Sequence, residues 1–230
     1  LDPLGLMHRH YPADWLPKDD ESDAKWTPDR IEMAQTGRFH YLWFETPDSP
    51  RQWVAASQHH QARMVRMMTE AFRRLPGMNS FALHLLIDAF PAGWMKAVVD
   101  CERHPKPAYF NFSHAMNPLF VGLRTDRTSC VAGEILEIEA WIANDTHTLP
   151  DNARLVFQAH CGEKTVVTGK CPAVIPDMDV AFQGFLSVPV PELNHRSRLR
   201  VSIRLQEETG RALHDNTLSL SVWPKTDKPS

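Results

Sequence analysis

The chain has 230 residues, 43% of them hydrophobic and 23% charged, with a formal net charge of −3. That length holds one large or two ordinary domains. The charge balance lacks the basic excess of a nucleic-acid binder, and no apolar run approaches the roughly 20 residues of a membrane-spanning helix. The opening LDPLGLMHRHYP does not read as a signal peptide, so an N-terminus beyond Leu1 is expected and no compartment is assigned.

Residues 1–36 are rich in Pro, Asp and aromatic side chains, and Pro3, Pro12, Pro17 and Pro28 forbid one long helix. The pattern predicts short helices near Pro3–His10 and Pro28–Gln35 inside a long loop. Residues 38–45, RFHYLWFE, read as a strand or a packed aromatic loop. Residues 49–75 give the clearest helix. Ser49 can cap it, Pro50 suits its first position, and Gln52 completes an S-x-x-Q box. Val54, Gln58, Gln61, Val65, Met68, Phe72 and Leu75 form its apolar stripe. Arg63, Arg66, Arg73 and Arg74 fall largely off that stripe, and Pro76–Gly77 ends the helix.

Phe81–Ile87 is a short apolar run, long enough for one buried strand, interrupted by His84 and followed at once by Asp88. Pro91 and Gly93 make Ala89–Trp94 a loop. A second apolar run, Met95–Val99, a charged turn over Asp100–His104, and a helix near Ala108–Met116 follow. From Asn117–Pro118 onward the period changes to two. Strands are predicted at 119–124, 134–144, 153–160, 164–169, 179–188, 198–206 and 213–223, with a turn at Thr125–Cys130. About seven short strands in roughly 105 residues indicate an all-β, immunoglobulin-like sandwich over 118–224. KTDKPS closes the chain as a polar tail or linker over 225–230.

Cys101, Cys130, Cys161 and Cys171 form no CxxC pair, so free thiols are expected. His59 and His60 are adjacent on the predicted helix, and His8 and His10 lack an obvious third ligand. No metal site and no cofactor are expected.

The stretch from Asn79 to Phe110 resembles the last barrel strand of glycoside hydrolase family 2, which includes β-galactosidases, β-glucuronidases and β-mannosidases. In that family a short aromatic-plus-Asp segment ends the eighth strand. A Pro loop with a Trp, an Asp, a Gly-Arg-Pro-Lys-Pro-like turn and an Ala-Tyr-Tyr-like helix start follow. Here they read LLID (85–88), FPAGW (90–94), VVD (98–100) and ERHPKPAYF (102–110). LDPLGLMHRHYPADWLP resembles a stretch that in the family lies a few residues after the seventh strand and its catalytic Glu. The sandwich is a third match.

This resemblance implies the end of a (β/α)8 barrel over 1–117, an α/β segment, followed by the sandwich. It implies a retaining β-glycosidase whose nucleophile lies before Leu1 and whose acid/base lies further upstream. The partners would be a carbohydrate substrate and the rest of the parent barrel, without nucleic acid or membrane. His84 stands where many members place a Trp under the sugar ring. Its imidazole can hydrogen-bond a hydroxyl instead, or be a core histidine. Asp88 could accept sugar hydroxyl protons, orient a neighbour or cap a loop. Trp94 could be a sugar platform or rim packing. Glu45 is the alternative nucleophile, at the end of RFHYLWFE, but Thr46–Pro47 follows it rather than the family's aromatic-Gly pair. The competing reading is a non-catalytic sandwich that binds carbohydrate or protein, with the helical part as a docking segment.

Overall fold

The computed structural model describes residues 3–10, 49–89 and 96–225. The expected helix at 28–35, the RFHYLWFE segment with Glu45, and residues 90–95 with Trp94 lie outside the described residues. The chain divides into two compact units. One is Leu1–Phe72 with Met78–Met116; the other is Arg73–Gly77 with Asn117–Ser230.

Three helices are described: α1, Pro3–His10; α2, Pro50–Arg73; and α3, Pro107–Ala115. Ser49 caps α2 as its sequence implies: the Gln52 amide donates to Ser49 Oγ at 3.3 Å, and the Trp53 amide to the Ser49 carbonyl at 2.9 Å. The inward face of α2 includes Ala62 and Val65. With Leu83, Ile87, Val98, Val99 and Ala108 they form a small core in the first unit. Asn111 on α3 donates to the Ala62 carbonyl at 3.0 Å. Arg73, which falls off the apolar stripe of α2, is nonetheless buried. Its guanidinium donates to the Asn117 carbonyl at 2.6 Å and to Asp145 at 2.8 Å, and stacks 5.1 Å from the Phe120 ring centroid. A cation satisfied on both edges and one face tolerates burial that an unpaired one would not.

The predicted strand Phe81–Ile87 is not a strand. Only a parallel bridge, Ile87 to Val99, forms there. The amides of Val98 and Val99 donate to the Leu85 and Leu86 carbonyls at 3.2 and 3.0 Å, and Asp88 N to the Val99 carbonyl at 3.1 Å. Ala82, His84 and Leu86 are exposed, while Phe81, Leu83, Leu85 and Ile87 are half-buried. The two-residue alternation is therefore present. Among the described residues, no neighbouring strand turns it into a ladder. The His84–Leu85 peptide bond is cis.

The second unit is a two-sheet β-sandwich of eight strands: β1 Leu119–Arg124, β2 Ser129–Val131, β3 Ile135–Asn144, β4 Arg154–Cys161, β5 Lys164–Pro172, β6 Asp179–Pro189, β7 Ser197–Gln206 and β8 Ala212–Trp223. The sheet orders are β1-β3-β6 and β2-β8-β7-β4-β5. The expected turn at Thr125–Cys130 ends in a strand, because Ser129–Val131 pairs parallel with Ser221–Trp223. Three residues are too few to show a period, so β2 leaves no trace in the hydrophobic pattern.

Alternation drives the rest. On β7, Leu199, Val201, Ile203 and Leu205 are buried between the sheets while Arg198, Arg200 and Arg204 face out. Leu136, Ile138, Ala140 and Ile142 of β3 and Leu155 and Ala159 of β4 complete the facing layers. A fully buried Leu or Ile here stabilises by about 1.5–3 kcal/mol. A bulge between Ala140 and Trp141 shifts the β3–β6 register, and Gly184 opposite it adopts φ 116°, which suits a residue without Cβ.

Two buried polar side chains of β8 reach β1 across the sandwich. His214 Nδ1 accepts from the Val121 amide at 3.1 Å, and Asn216 Nδ2 donates to the Val121 carbonyl at 3.1 Å. The four cysteines are free thiols. Burial pushes the Cys130 thiol up to about 11.

Candidate functional site

Within the first unit, the residues singled out by sequence fall in two places. His84 is exposed and lines an open groove of about 510 Å³ between α2 and the 81–84 segment. Met64, Met68, Phe72, Phe81 and Phe112 give the groove its apolar wall. His60 and Lys96 are its other titratable members, and among the described residues no Asp or Glu lines it. Burial first, then the Arg63 charge and His59, lowers the His60 pKa and favours its neutral ring. Among the described residues, His84 has no hydrogen-bond or ion-pair partner, so its imidazole is available to an incoming polar group. Gln61 of the QHHQ run donates to the Ala97 carbonyl at 3.0 Å, which ties α2 to the chain before Val98.

Asp88 lies elsewhere in the network. Its carboxylate accepts from Lys106 Nζ at 3.0 Å, with side-chain exposures of 7% and 12%. Two opposite charges at this burial hold each other, since either alone would carry an uncompensated desolvation cost. Lys106 belongs to the PKP turn, which the sequence showed as part of the ERHPKPAYF motif without giving the lysine a role. The signal that could have found it was the pair of prolines flanking a single cation. His84 and Asp88 share no hydrogen-bond partner among the described residues.

The charged turn 100–104 is built around carboxylates that organise backbone and cations. Asp100, buried, accepts from the His104 amide at 2.8 Å. Glu102 takes the Arg9 guanidinium through both oxygens, at 3.1 and 2.7 Å, and His10 Nε2 at 2.8 Å. The hydrogen bonds from Arg9 and His10 hold the Glu102 carboxyl down at about 2. These carboxylates are committed to structure. None is placed as a free acid/base beside the groove.

The sandwich carries two outer faces of opposite character. On the small sheet, Trp141 packs 5.0 Å from Phe182, and Phe182 5.2 Å from Phe185, with both phenylalanines exposed. The Trp141 indole donates to Glu139 at 2.7 Å, and Glu139 also holds Arg124. On the large sheet, a polar groove of about 490 Å³ is lined by Gln158, His160, Arg200, Ser202 and Arg204 among others. This basic face was not singled out by sequence reasoning. Its signal was the R-x-R-x-S-x-R alternation over 198–204.

Among the described residues, no group of three or more His, Cys, Asp and Glu side chains could hold a metal ion. No helix there is long and apolar enough to cross a membrane.

No protein-family model and no curated protein matches the chain. Solved structures do. The β-D-mannosidase from Dictyoglomus thermophilum superposes with a TM-score of 0.58 at 15% sequence identity, over 96% of this chain and 27% of that chain. The exo-chitosanase CsxA of Amycolatopsis orientalis, in complex with PNP-β-D-glucosamine, gives 0.57 at 15% identity, over 75% of this chain and 20% of that chain. CsxA as an exo-β-D-glucosaminidase with inhibitors gives 0.59 at 15% identity, over 80% and 21%. These neighbours are glycoside hydrolases by name, and the likeness is one of fold. The chain spans 20–27% of their length.

Proposed function

We propose that this chain is the C-terminal part of a family 2 retaining β-glycosidase. Residues 1–117 are then the end of a (β/α)8 barrel, 118–224 an immunoglobulin-like sandwich, and 225–230 a tail or linker. The observation that carries this reading is the fold likeness over 96% of the chain to a β-D-mannosidase, met by LLID, FPAGW, VVD and ERHPKPAYF in the order the family uses. The sheet orders support the immunoglobulin-like assignment: β1, β3 and β6 take the places of strands A, B and E, and β4, β7 and β8 those of C, F and G. The unpartnered alternation of 81–87, bonded in parallel to 98–99, supports a barrel strand whose other neighbour belongs to the parent enzyme.

Retention needs two carboxyl groups about 5 Å apart, one to form the glycosyl-enzyme and one to protonate the leaving oxygen and then activate water. Asp88 is engaged with Lys106, Glu102 with Arg9 and His10, and Asp100 with the His104 amide. The resemblance puts both catalytic Glu outside residues 1–230, with Glu45 as the alternative nucleophile, and in this reading the isolated chain is inactive. His84 and Trp94 are wall residues of the sugar site. Asp88 is a positioning residue, fixing the strand end through Lys106.

The test extends the chain upstream through its reading frame and assays both forms against 4-nitrophenyl β-galactoside, glucuronide, mannoside and glucoside. The extended form should hydrolyse at least one, and the 230-residue form none. In the extended form, His84→Ala should lower kcat/KM by roughly tenfold, about 1.4 kcal/mol of transition-state contact. An upstream frame without a Glu-(Tyr/Phe)-Gly segment would overturn the reading. So would turnover by the 230-residue form that disappears in Glu45→Gln.

A further inference from the structure

The five-stranded sheet turns a strongly cationic face outward, although the chain as a whole is anionic at −3. Its central strand is β7. The cross-strand register places Arg154 beside Gln206 and sets out the row Lys170–Val156–Arg204–Asp215. Next come Thr168–Gln158–Ser202–Thr217 and Thr165–His160–Arg200–Ser219, and then Arg198 beside Ser221. These rows hold five cations, Arg154, Lys170, Arg198, Arg200 and Arg204, against one carboxylate, Asp215. Arg198, Arg200 and Arg204 are exposed. Among the described residues, none of the three makes a side-chain hydrogen bond or ion pair. Residues two apart on a strand stand about 6.5–7 Å from each other on one face. Arg198 and Arg200 therefore form a closely spaced pair of guanidinium groups, with Arg204 two steps further along.

The chemistry between the cations selects the ligand class. Gln158 and Thr168 offer amide and hydroxyl groups, the Ser202 hydroxyl donates to the Gln158 carbonyl at 3.4 Å and keeps its oxygen as an acceptor, and the Thr165 hydroxyl sits 3.1 Å from His160 Nδ1. The rows contain no Trp, Tyr or Phe, so the only groups there that could stack a nucleobase are the His160 ring and the guanidinium planes, and single-stranded DNA is therefore one of the comparison polymers. Guanidinium forks bind carboxylates and phosphates alike in bidentate fashion, and the interleaved hydroxyls match sugar hydroxyls, which together favour an acidic sugar polymer. The small sheet shows the opposite character, with Glu139 and an aromatic cluster, so an acidic polymer has one face to choose.

We propose that the outer face of the five-stranded sheet is a binding site for a carboxylated polysaccharide, a polyuronate, laid across β7 with Arg200 and Arg204 on its carboxylates and Ser202 and Gln158 on the hydroxyls between. The choice of a carbohydrate polymer rests on the glycosidase reading; the charge and geometry do not. The site lies on the sandwich and takes no part in bond cleavage.

The experiment uses the full 230-residue chain in affinity electrophoresis and calorimetry with polygalacturonate, at about physiological salt. Neutral galactomannan, dextran sulfate and single-stranded DNA are the comparison polymers. Polygalacturonate should bind, galactomannan should not, and dextran sulfate and DNA should bind more weakly at matched charge. Arg200→Gln with Arg204→Gln should weaken polygalacturonate binding roughly tenfold per guanidinium, whereas Phe185→Ser on the opposite sheet should leave it unchanged. Should the double variant fail to fold, phenylglyoxal modification of the unaltered chain decides: polygalacturonate should protect Arg198, Arg200 and Arg204. The absence of binding, equal or tighter binding of dextran sulfate or DNA, or protection confined to other arginines would each overturn the proposal. No readout involves hydrolysis. Binding thus survives a failure of the glycosidase reading, and loss of binding leaves that reading untouched.

Discussion

Residues 81–87 and β7 begin from the same instruction, an apolar residue at every second position. In the sandwich, Leu199, Val201, Ile203 and Leu205 meet partner strands on both sides and become buried. In the first unit, Phe81, Leu83, Leu85 and Ile87 stay half-buried, with a single bridge to show for their alternation. A period of two specifies which side chains share a face. It does not supply the neighbour whose amides complete the ladder, and backbone groups without that neighbour find other partners or water. The strand-forming pattern is local, whereas the strand belongs to the sheet.

The largest expected effect comes from separating the two regions. Residues 118–225 alone should unfold in one cooperative transition, because their strands and core are complete. Residues 1–117 alone should associate or melt without cooperativity, since an exposed apolar face favours association. Equal cooperative melting of the two pieces, followed by calorimetry, would break the comparison.

Next in size is the ion pair that holds the unpartnered segment. Asp88→Ala should strand the Lys106 ammonium and destabilise the local structure by about 3 kcal/mol. Hydrogen exchange of the Val98 and Val99 amides, which donate to the Leu85 and Leu86 carbonyls, should then accelerate by about a hundredfold. Asp88→Leu combined with Lys106→Met should recover most of that protection. If both variants exchange alike, the pair is not what fixes the segment.

The smallest effect concerns acid. The folded Glu102 carboxyl, held at about 2, lies below the ordinary value of 4.5. A depressed carboxyl contributes stability that is complete above the unfolded value and is lost as pH falls through the folded one. The tie from α1 to the 100–104 turn should therefore hold at pH 5 and weaken between 4.5 and about 2. A carboxyl carbon NMR titration of Glu102 should show its midpoint near the lower end, and Arg9→Ala should move it upward. A midpoint near 4.5 in the unaltered chain would remove Arg9 and His10 as its partners.

What the sequence disclosed follows the same division. The bounds of β3 were legible to within a residue because ten largely alternating positions outvote local noise, and those of the six-residue β1 because Pro118 and the turn from Thr125 mark its ends. Ser49, Pro50 and Gln52 announced the start of α2 through chemistry that acts within one turn. β2 was hidden, being three residues long and paired with residues some 90 positions away. The burial of Arg73 was not legible because it depends on Asn117, Phe120 and Asp145, which no helical periodicity can see. The candidate sites divide likewise. LLID and PKP were visible as motifs, but the pairing of Asp88 with Lys106 is a contact across 18 positions.

The polar reach from β8 to Val121 has a consequence for the molecule in a crowd. β1 lies at the margin of the three-stranded sheet, and a marginal strand with free amides and carbonyls is a template on which another chain can add. His214 and Asn216 occupy both backbone groups of Val121 from within the same molecule. At that position an intruding strand would find neither donor nor acceptor vacant. Strand addition is thereby closed at Val121, a local effect that a measurement of folding stability would not register.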